Sequence, residues 1–258
     1  MAINRRHPAV LATVLGVALG TMGVAYAAVD SGTKPKTIAV SQTQVEEGKA
    51  LYIEGCSSCH GLAAQGSTDG PSLIGVGAAS VDFQVSTGRM PMAAPGVQAP
   101  KKKVIYNEAE IAALAAYIAT LGPGPAIPTA EMLDTSDAEL ALGGELFRTN
   151  CAQCHSASGR GGALSDGRIA PTLMNSDAKE IYEAMVSGPQ AMPVFSDTTL
   201  PLEDKQAIIA YIQELQKDEN PGGNSLGRLG PVTEGLFVWI FGLGALLGVA
   251  VWIGAKAK

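Results

Sequence analysis

The sequence predicts an all-α protein: two tandem helical domains, a C-terminal transmembrane helix, and an N-terminal transmembrane helix or signal peptide. Three observations carry that expectation. The pattern C-x-x-C-H occurs twice, as "CSSCH" at 56–60 and "CAQCH" at 151–155. Each copy is embedded in a longer internal repeat. Finally, hydrophobic residues make up 47% of the chain and their excess is gathered at its two ends.

The N-terminal segment, residues 1–29, opens with Arg5 and Arg6 before an uncharged run from Pro8 to Val29, and Ala25-Tyr26-Ala27 has the form of a signal-peptidase site. It reads as a cleaved export signal or as a retained membrane anchor. The run is longer than the usual apolar core of an export signal, about 7–15 residues, which favours the anchor.

The repeat comes next. "EGKALYIEGCSSCH" aligns with "LGGELFRTNCAQCH", pairing Gly48 with Gly143 and Tyr52 with Phe147. Thr43 with Glu46, and Ser136 with Glu139, have the spacing of capping boxes and predict the helix starts. After each C-x-x-C-H comes a proline turn, "GPSL" at 70–73 and "APTL" at 170–173. A helical segment follows, ending in Gly88 or Gly188, and then Met-Pro, at Met90-Pro91 and Met192-Pro193. Each copy closes with an amphipathic helix, "NEAEIAALAAYIATLG" or "PLEDKQAIIAYIQELQ". The two units run over 41–122 and 136–217, joined by a Pro/Gly-rich linker at 123–135. Domains this small are marginal without added apolar mass.

A second linker, "DENPGGNSLGRLGPV", leads to the C-terminal segment, 234–255, in which Gly235 to Ala255 carry no charge. At about 1.5 Å per residue such a helix spans the roughly 30 Å hydrocarbon layer. Trp239 and Trp252 suit the two interfaces. Arg5, Arg6, Lys256 and Lys258 then place both termini in the cytoplasm, with everything between them outside. Gly244 and Gly248 form a GxxxG, a weak signal for a partner helix. The formal charge of −6 excludes the basic footprint of a nucleic-acid partner.

Cysteine spacing decides the chemistry. The chain has only Cys56, Cys59, Cys151 and Cys154, and two of its three histidines, His60 and His155, complete the motifs. Two thiols that add to the vinyl groups of one haem, with the next residue an imidazole that reaches the iron, need this spacing. A thioredoxin-like dithiol wants a βαβ setting that is absent. A four-cysteine zinc site or two structural disulfides leave the histidines unexplained. The expected cofactors are therefore two covalently bound haem c groups.

The opposite face of each iron needs a second ligand, and a thioether raises the potential for electron transfer. Met90 and Met192 stand at the same place in the two copies, each fixed by the proline after it. Met92 rivals Met90 in the first copy; Met174 and Met185 rival Met192, although both read as core residues. A ligating histidine gives its other N–H to a carbonyl, a role for the turns at Pro71 and Pro171. Tyr52 with Tyr117, and Phe147 with Tyr211, read as packing between first and last helices. Arg89, Arg160 and Arg168 are candidates to neutralise haem propionates. Lys101–Lys103 read as a docking patch or, more commonly, a solvated run.

With these residues in hand, each half resembles class I cytochromes c: C-x-x-C-H, a Pro-x-Leu turn, Met-Pro, and Leu114-x-x-Tyr117 or Ile208-x-x-Tyr211 in the last helix. Over nearly its whole length the chain resembles the dihaem cytochrome cc subunits of actinobacterial cytochrome bcc menaquinol–cytochrome c reductases. The stretches that carry this are "GPSLIGVG", "FQVSTGRMP", "GRGGAL", "GPQAMPVFS" and "PGGNSLGRLGP" before "EGLFVWI". The resemblance implies His60 and Met90 at one iron, His155 and Met192 at the other. It implies a cytochrome b subunit and a Rieske iron–sulfur subunit as partners, and delivery of electrons to the copper centre of a haem-copper oxidase. The quinol site is expected on another subunit, and the haem domains on the extracytoplasmic side of the cell membrane, among its lipids. A dihaem subunit of a cbb-type oxidase or of a periplasmic dehydrogenase, and a dihaem enzyme with one catalytic iron, are the alternatives. A catalytic iron needs an open position, which matched Met-Pro motifs argue against.

Overall fold

The computed structural model describes residues 8–30, 41–217, 226 and 231–256. Arg5, Arg6, Lys258 and most of the second linker lie outside them. Helix α1 (Pro8–Asp30) forms a unit of its own. Within its described residues the stretch Ala12–Met22 is apolar but shorter than a membrane span, which needs about 20 residues.

The remainder holds two hydrophobic cores, one for each copy of the repeat. The first is framed by α2 (Gln42–Gly55), a single turn α3 (Ser57–His60), α4 (Gly77–Ser86) and α5 (Glu108–Ala119). Tyr52, Val85, Ile111, Leu114, Tyr117 and Ile118 meet at its centre. The second is framed by α6 (Leu140–Asn150), α7 (Ala152–His155), α8 (Ala178–Ser187) and α9 (Leu202–Lys217). Phe147, Ile181, Tyr182, Met185, Ile208, Ile209 and Ile212 fill it. A two-residue antiparallel pair, β1 (Gly162–Ala163) with β2 (Ile169–Ala170), closes the loop after the second motif.

In both lobes the first helix crosses the last at a glycine. A Cβ on Gly48 would stand 1.9 Å from the Ala113 carbonyl oxygen, and one on Gly143 would stand 2.0 Å from that of Ala207. One turn further on, the aromatic pairs expected from the sequence lock the crossing. Tyr52–Tyr117 and Phe147–Tyr211 both have ring centroids 5.4 Å apart in a tilted arrangement, a geometry aromatic pairs prefer.

Helix capping departs from the expectation. Thr43 lies inside α2 rather than before it. Helix α6 starts at Leu140 behind Glu139, which makes no side-chain cap; Ser136 instead takes part in a turn in which its N–H donates to Asp134. The complete capping box is on α5, where Asn107 and Glu110 satisfy one another's backbone N–H groups at 3.0 and 2.8 Å. Asp177 caps α8 through the Glu180 N–H. Nor is the linker a free tether. The Pro125 carbonyl accepts from Ala79 N–H, while Met132 and Leu133, on a 3-10 turn, pack against the second core.

The C-terminal segment is helical throughout: α10 (Pro231–Phe237), one wider π turn (Val238–Leu243) and α11 (Gly244–Lys256). The stretch Thr233–Lys256 has mean hydropathy 2.4 and is long enough to cross a membrane. Its Leu, Val, Ile and Trp side chains are exposed, Trp239 and Trp252 included.

Candidate functional site

Each C-x-x-C-H is built by a break in the helix. The Cys56 and Cys151 N–H groups close the last turns of α2 and α6 on Tyr52 and Phe147. The chain then re-enters helix for one turn, bringing His60 N–H to the Cys56 carbonyl and His155 N–H to the Cys151 carbonyl. The chain returns by the same path in both copies. Gly66 and Gly161 N–H donate to the histidine carbonyls, and Leu73 and Leu173 N–H donate to Ala64 and Gly159. This folds the two proline turns beneath the imidazoles.

His60 Nδ1 lies 2.7 Å from the Pro71 carbonyl oxygen and His155 Nδ1 lies 2.9 Å from that of Pro171. A carbonyl only accepts, so Nδ1 carries the proton in both rings, and the lone pair of each neutral imidazole is on Nε2. That is the tautomer a metal ligand needs. Burial holds His155 below the ordinary imidazole pKa, with the Pro171 carbonyl opposing it, so the ring is neutral at neutral pH.

Burial pushes the Cys56 and Cys151 thiols up to about 11, their partner cysteines adding to the effect. A thiol that stays protonated is a poor nucleophile, which speaks against a working dithiol pair. Cys56 packs on the first core and Cys151 on the second, so the two pairs do not assemble into one four-cysteine centre.

In the second lobe these groups line one cavity of about 680 Å³. Cys151, Cys154, His155 and Met192 all face it, and its remaining walls include Leu173, Phe195, Ile208 and Ile212. Met192 reaches this position on a loop fastened at both ends. Its own N–H donates to Pro189, and Phe195 N–H donates to the Met185 carbonyl. Behind the loop, fully buried Lys205 donates to Asp197 and to the Leu200 carbonyl, both at 2.6 Å. Nothing in the spacing of the sequence singles out Lys205, which stands on the helix face that faces this loop. Met185 also lines this cavity, but it does so from within the hydrophobic core, on α8 and 2% exposed, whereas Met192 stands on the loop.

In the first lobe Met90, and not Met92, packs against the hydrophobic cluster that also receives Cys56 and Leu73. Its N–H donates to Gln84, and Lys102 Nζ donates to the Pro91 carbonyl. In the second lobe, an apolar cavity with two thiols, a pre-oriented imidazole and a thioether fits a covalently attached haem c. The thiols suit thioether linkage, Nε2 and sulfur are soft enough for iron, and the apolar walls match a porphyrin face.

The lobes also touch one another. Gln98 pairs with the backbone of Ile169 as a strand would: Nε2 donates to the Ile169 carbonyl at 2.6 Å and Ile169 N–H donates to Oε1 at 2.9 Å. Lys101 forms an ion pair with Glu180, and Lys179 with Asp82, both at 2.6 Å. Lys101 is thus engaged within the chain, although its side chain stays 51% exposed. Beside Asp82 lies Glu183, 1% exposed, with Oε1 receiving no hydrogen bond. Burial first, then the neighbouring Asp82 charge, pushes its carboxyl up to about 9, with Lys179 opposing.

Comparison with known proteins follows the same division. The family model described as "Cytochrome c" matches residues 45–122, and the one described as "Cytochrome C oxidase, cbb3-type, subunit III" matches residues 138–212. Relatives named "Cytochrome bc1 complex cytochrome c subunit" align over most of the length. The one from Corynebacterium efficiens is 44% identical, covering 95% of this chain and 90% of the relative. That from Mycobacterium tuberculosis is 47% identical over 84% of this chain and 80% of its own length. The Mycobacterium leprae protein is 46% identical, covering 84% and 77%.

Proposed function

This chain belongs to the family of cytochrome c subunits of cytochrome bc1 complexes, and we propose that it carries two covalent haems c, one in each lobe. Cys56 and Cys59 would hold the first, with His60 and Met90 as the side chains that ligate its iron. Cys151 and Cys154 hold the second, with His155 and Met192. The Pro71 and Pro171 carbonyls fix the imidazoles. The observation that carries the reading is the convergence of Cys151, Cys154, His155 and Met192 on one apolar cavity. The first lobe is assigned by its matching backbone hydrogen bonds and by the packing of Met90 on its core.

Bound there, the two irons supply one-electron oxidation and reduction, so that the subunit relays electrons from the Rieske iron–sulfur centre of a menaquinol-oxidising complex to the copper centre of a haem-copper oxidase. The protein's own part would be to present Nε2 and sulfur to the iron, keep water out with the aliphatic walls, and keep both lobes at the membrane. The quinol site belongs to the cytochrome b subunit. The C-terminal helix anchors the chain, with the lobes on the extracytoplasmic side.

The match of 138–212 to a cbb3-type oxidase subunit favours a second reading, an oxidase-bound dihaem subunit. It concerns the second lobe alone, whereas the bc1 relatives extend across both lobes. Pyridine haemochrome analysis tests the assignment: two thioether-linked porphyrins per chain are expected, and fewer would overturn it. The sulfur-to-iron charge-transfer band of one haem should vanish in Met90→Ala and survive in Met92→Ala. Tagged protein should leave the membrane with a b-type cytochrome; recovery with an oxidase and no such partner would favour the second reading.

A further inference from the structure

The cavity of the second lobe is not walled by that lobe alone. Phe83, Arg89, Gln98 and Lys101 of the first lobe also line it, and Arg168 comes from the second. The Arg89 guanidinium carbon lies 4.6 Å from the centroid of the Phe83 ring. Its Nη1 is buried and meets no acceptor among the described residues, and the same is true of Arg168 Nε. The acid whose charge acts on Arg89 is Glu180, but Glu180 is already engaged by Lys101 at 2.6 Å.

A buried donor left unmatched costs about 1–3 kcal/mol, more when charged. Two guanidinium groups in that condition beside one cavity call for an anion inside it. Guanidinium is planar and matches carboxylate geometry with two parallel hydrogen bonds. On the reading above, the group in the cavity is a haem, whose only anionic substituents are two propionate carboxylates.

We propose that Arg89 of the first lobe binds a propionate of the haem held by the second lobe, with Arg168 as the second cation lining the same cavity. Arg89 directly precedes Met90. The loop that presents a thioether to the first iron therefore also positions the second haem. Arg89 is a positioning residue, and its positive charge, desolvated beside a porphyrin, favours the ferrous state there. This inference rests on the two-haem reading.

The test uses the full haem-loaded chain in detergent. Spectroscopic redox titration resolves two components, assigned with Met90→His and Met192→His chains, each of which lowers one of them. Arg89→Gln is expected to lower the potential of the second haem more than that of the first, and Arg89→Lys to restore much of the difference. Arg168→Gln should lower the second component alone. Arg89→Gln that leaves the second component in place, or lowers the first as much or more, overturns the proposal. If Arg89→Gln is not recovered with both porphyrins, Arg89→Met, which keeps the stem on Phe83, is titrated in its place and judged by the same outcomes. A wild-type chain with fewer than two porphyrins would instead overturn the two-haem reading itself.

Discussion

Replacing Gly48 or Gly143 by alanine tests the crossing on which each lobe is built. Ordinary contact begins near 3.4 Å, and the new Cβ atoms would stand 1.9 and 2.0 Å from the carbonyl oxygens of Ala113 and Ala207. Those neighbours are backbone, so no rotamer change relieves the clash. The helices must separate by about 1.4–1.5 Å at the crossing. Overpacking of this kind costs about 1–3 kcal/mol. The displacement also breaks an aromatic pair worth about 0.5–1.5 kcal/mol. Alanine recovers about 1 kcal/mol of helix propensity, leaving a net loss of about 0.5–3.5 kcal/mol in either lobe. For domains of this size each 1 kcal/mol moves the melting temperature by roughly 4–8 °C. The expected fall is thus on the order of 10 °C in the transition of the mutated lobe, read as loss of its haem absorbance on heating. Gly248→Ala, where nothing lies within 4 Å, should leave both transitions in place. A Gly48→Ala chain as stable as wild type, or more so, would refute the reasoning, because propensity alone predicts a gain.

Glu183→Gln should flatten the pH dependence of stability. With the folded carboxyl raised from 4.5 to about 9, the folded chain holds a proton that the unfolded chain has lost, so stability falls as pH rises through that window, by up to about 1.4 kcal/mol per pH unit. Thermal melts at pH 6 and 8 check this, and equal slopes in wild type and variant would sink it. Gln98→Ala removes two hydrogen bonds between the lobes, each worth about 0.5–1.5 kcal/mol, and should speed amide exchange at Ile169 N–H; unchanged exchange would mean that the contact does not hold the lobes. Leu246→Arg, near the middle of the apolar helix, carries an insertion penalty of about 2.5–3.5 kcal/mol and should shift the protein into the alkaline-extractable fraction.

The parts legible in the sequence are those set by local chemistry. Two thiols and an imidazole must stand at short, fixed spacings, with a thioether before a proline further along, and the repeat displays each of them twice. The glycine and aromatic pairs of the crossing were readable for the same reason. The capping boxes were not, because Thr43–Glu46 and Ser136–Glu139 share their pattern with Asn107–Glu110, and pattern alone does not decide which Ser, Thr or Asn takes the non-helical backbone. Contacts between lobes were invisible. Gln98 meets Ile169, and Asp82 meets Lys179, across long stretches of chain. Neither pairing has a period or motif. Glu183 reads as one more polar residue on a helix until the second lobe is seen against the first.

The same invisible contacts decide how the two lobes behave. An exposed ion pair such as Lys101–Glu180 contributes about 0–1 kcal/mol, too little to hold two lobes together by itself. Asp82 and Glu183 are different, 5% and 1% exposed, and they are dry only while the lobes remain docked. Separating them returns Glu183 to water, where a carboxylic acid ionises at neutral pH, and docking again requires it to recover the proton. Two hydrogen bonds at Gln98, a linker hydrogen-bonded to the first lobe and packed on the second core, and a cavity with walls from both lobes all act in the same direction. The lobes therefore behave as one body, with the distance between their sites set by packing rather than by the reach of a tether. Such a body suits transfer between fixed sites, and it makes the first lobe part of the second lobe's binding wall.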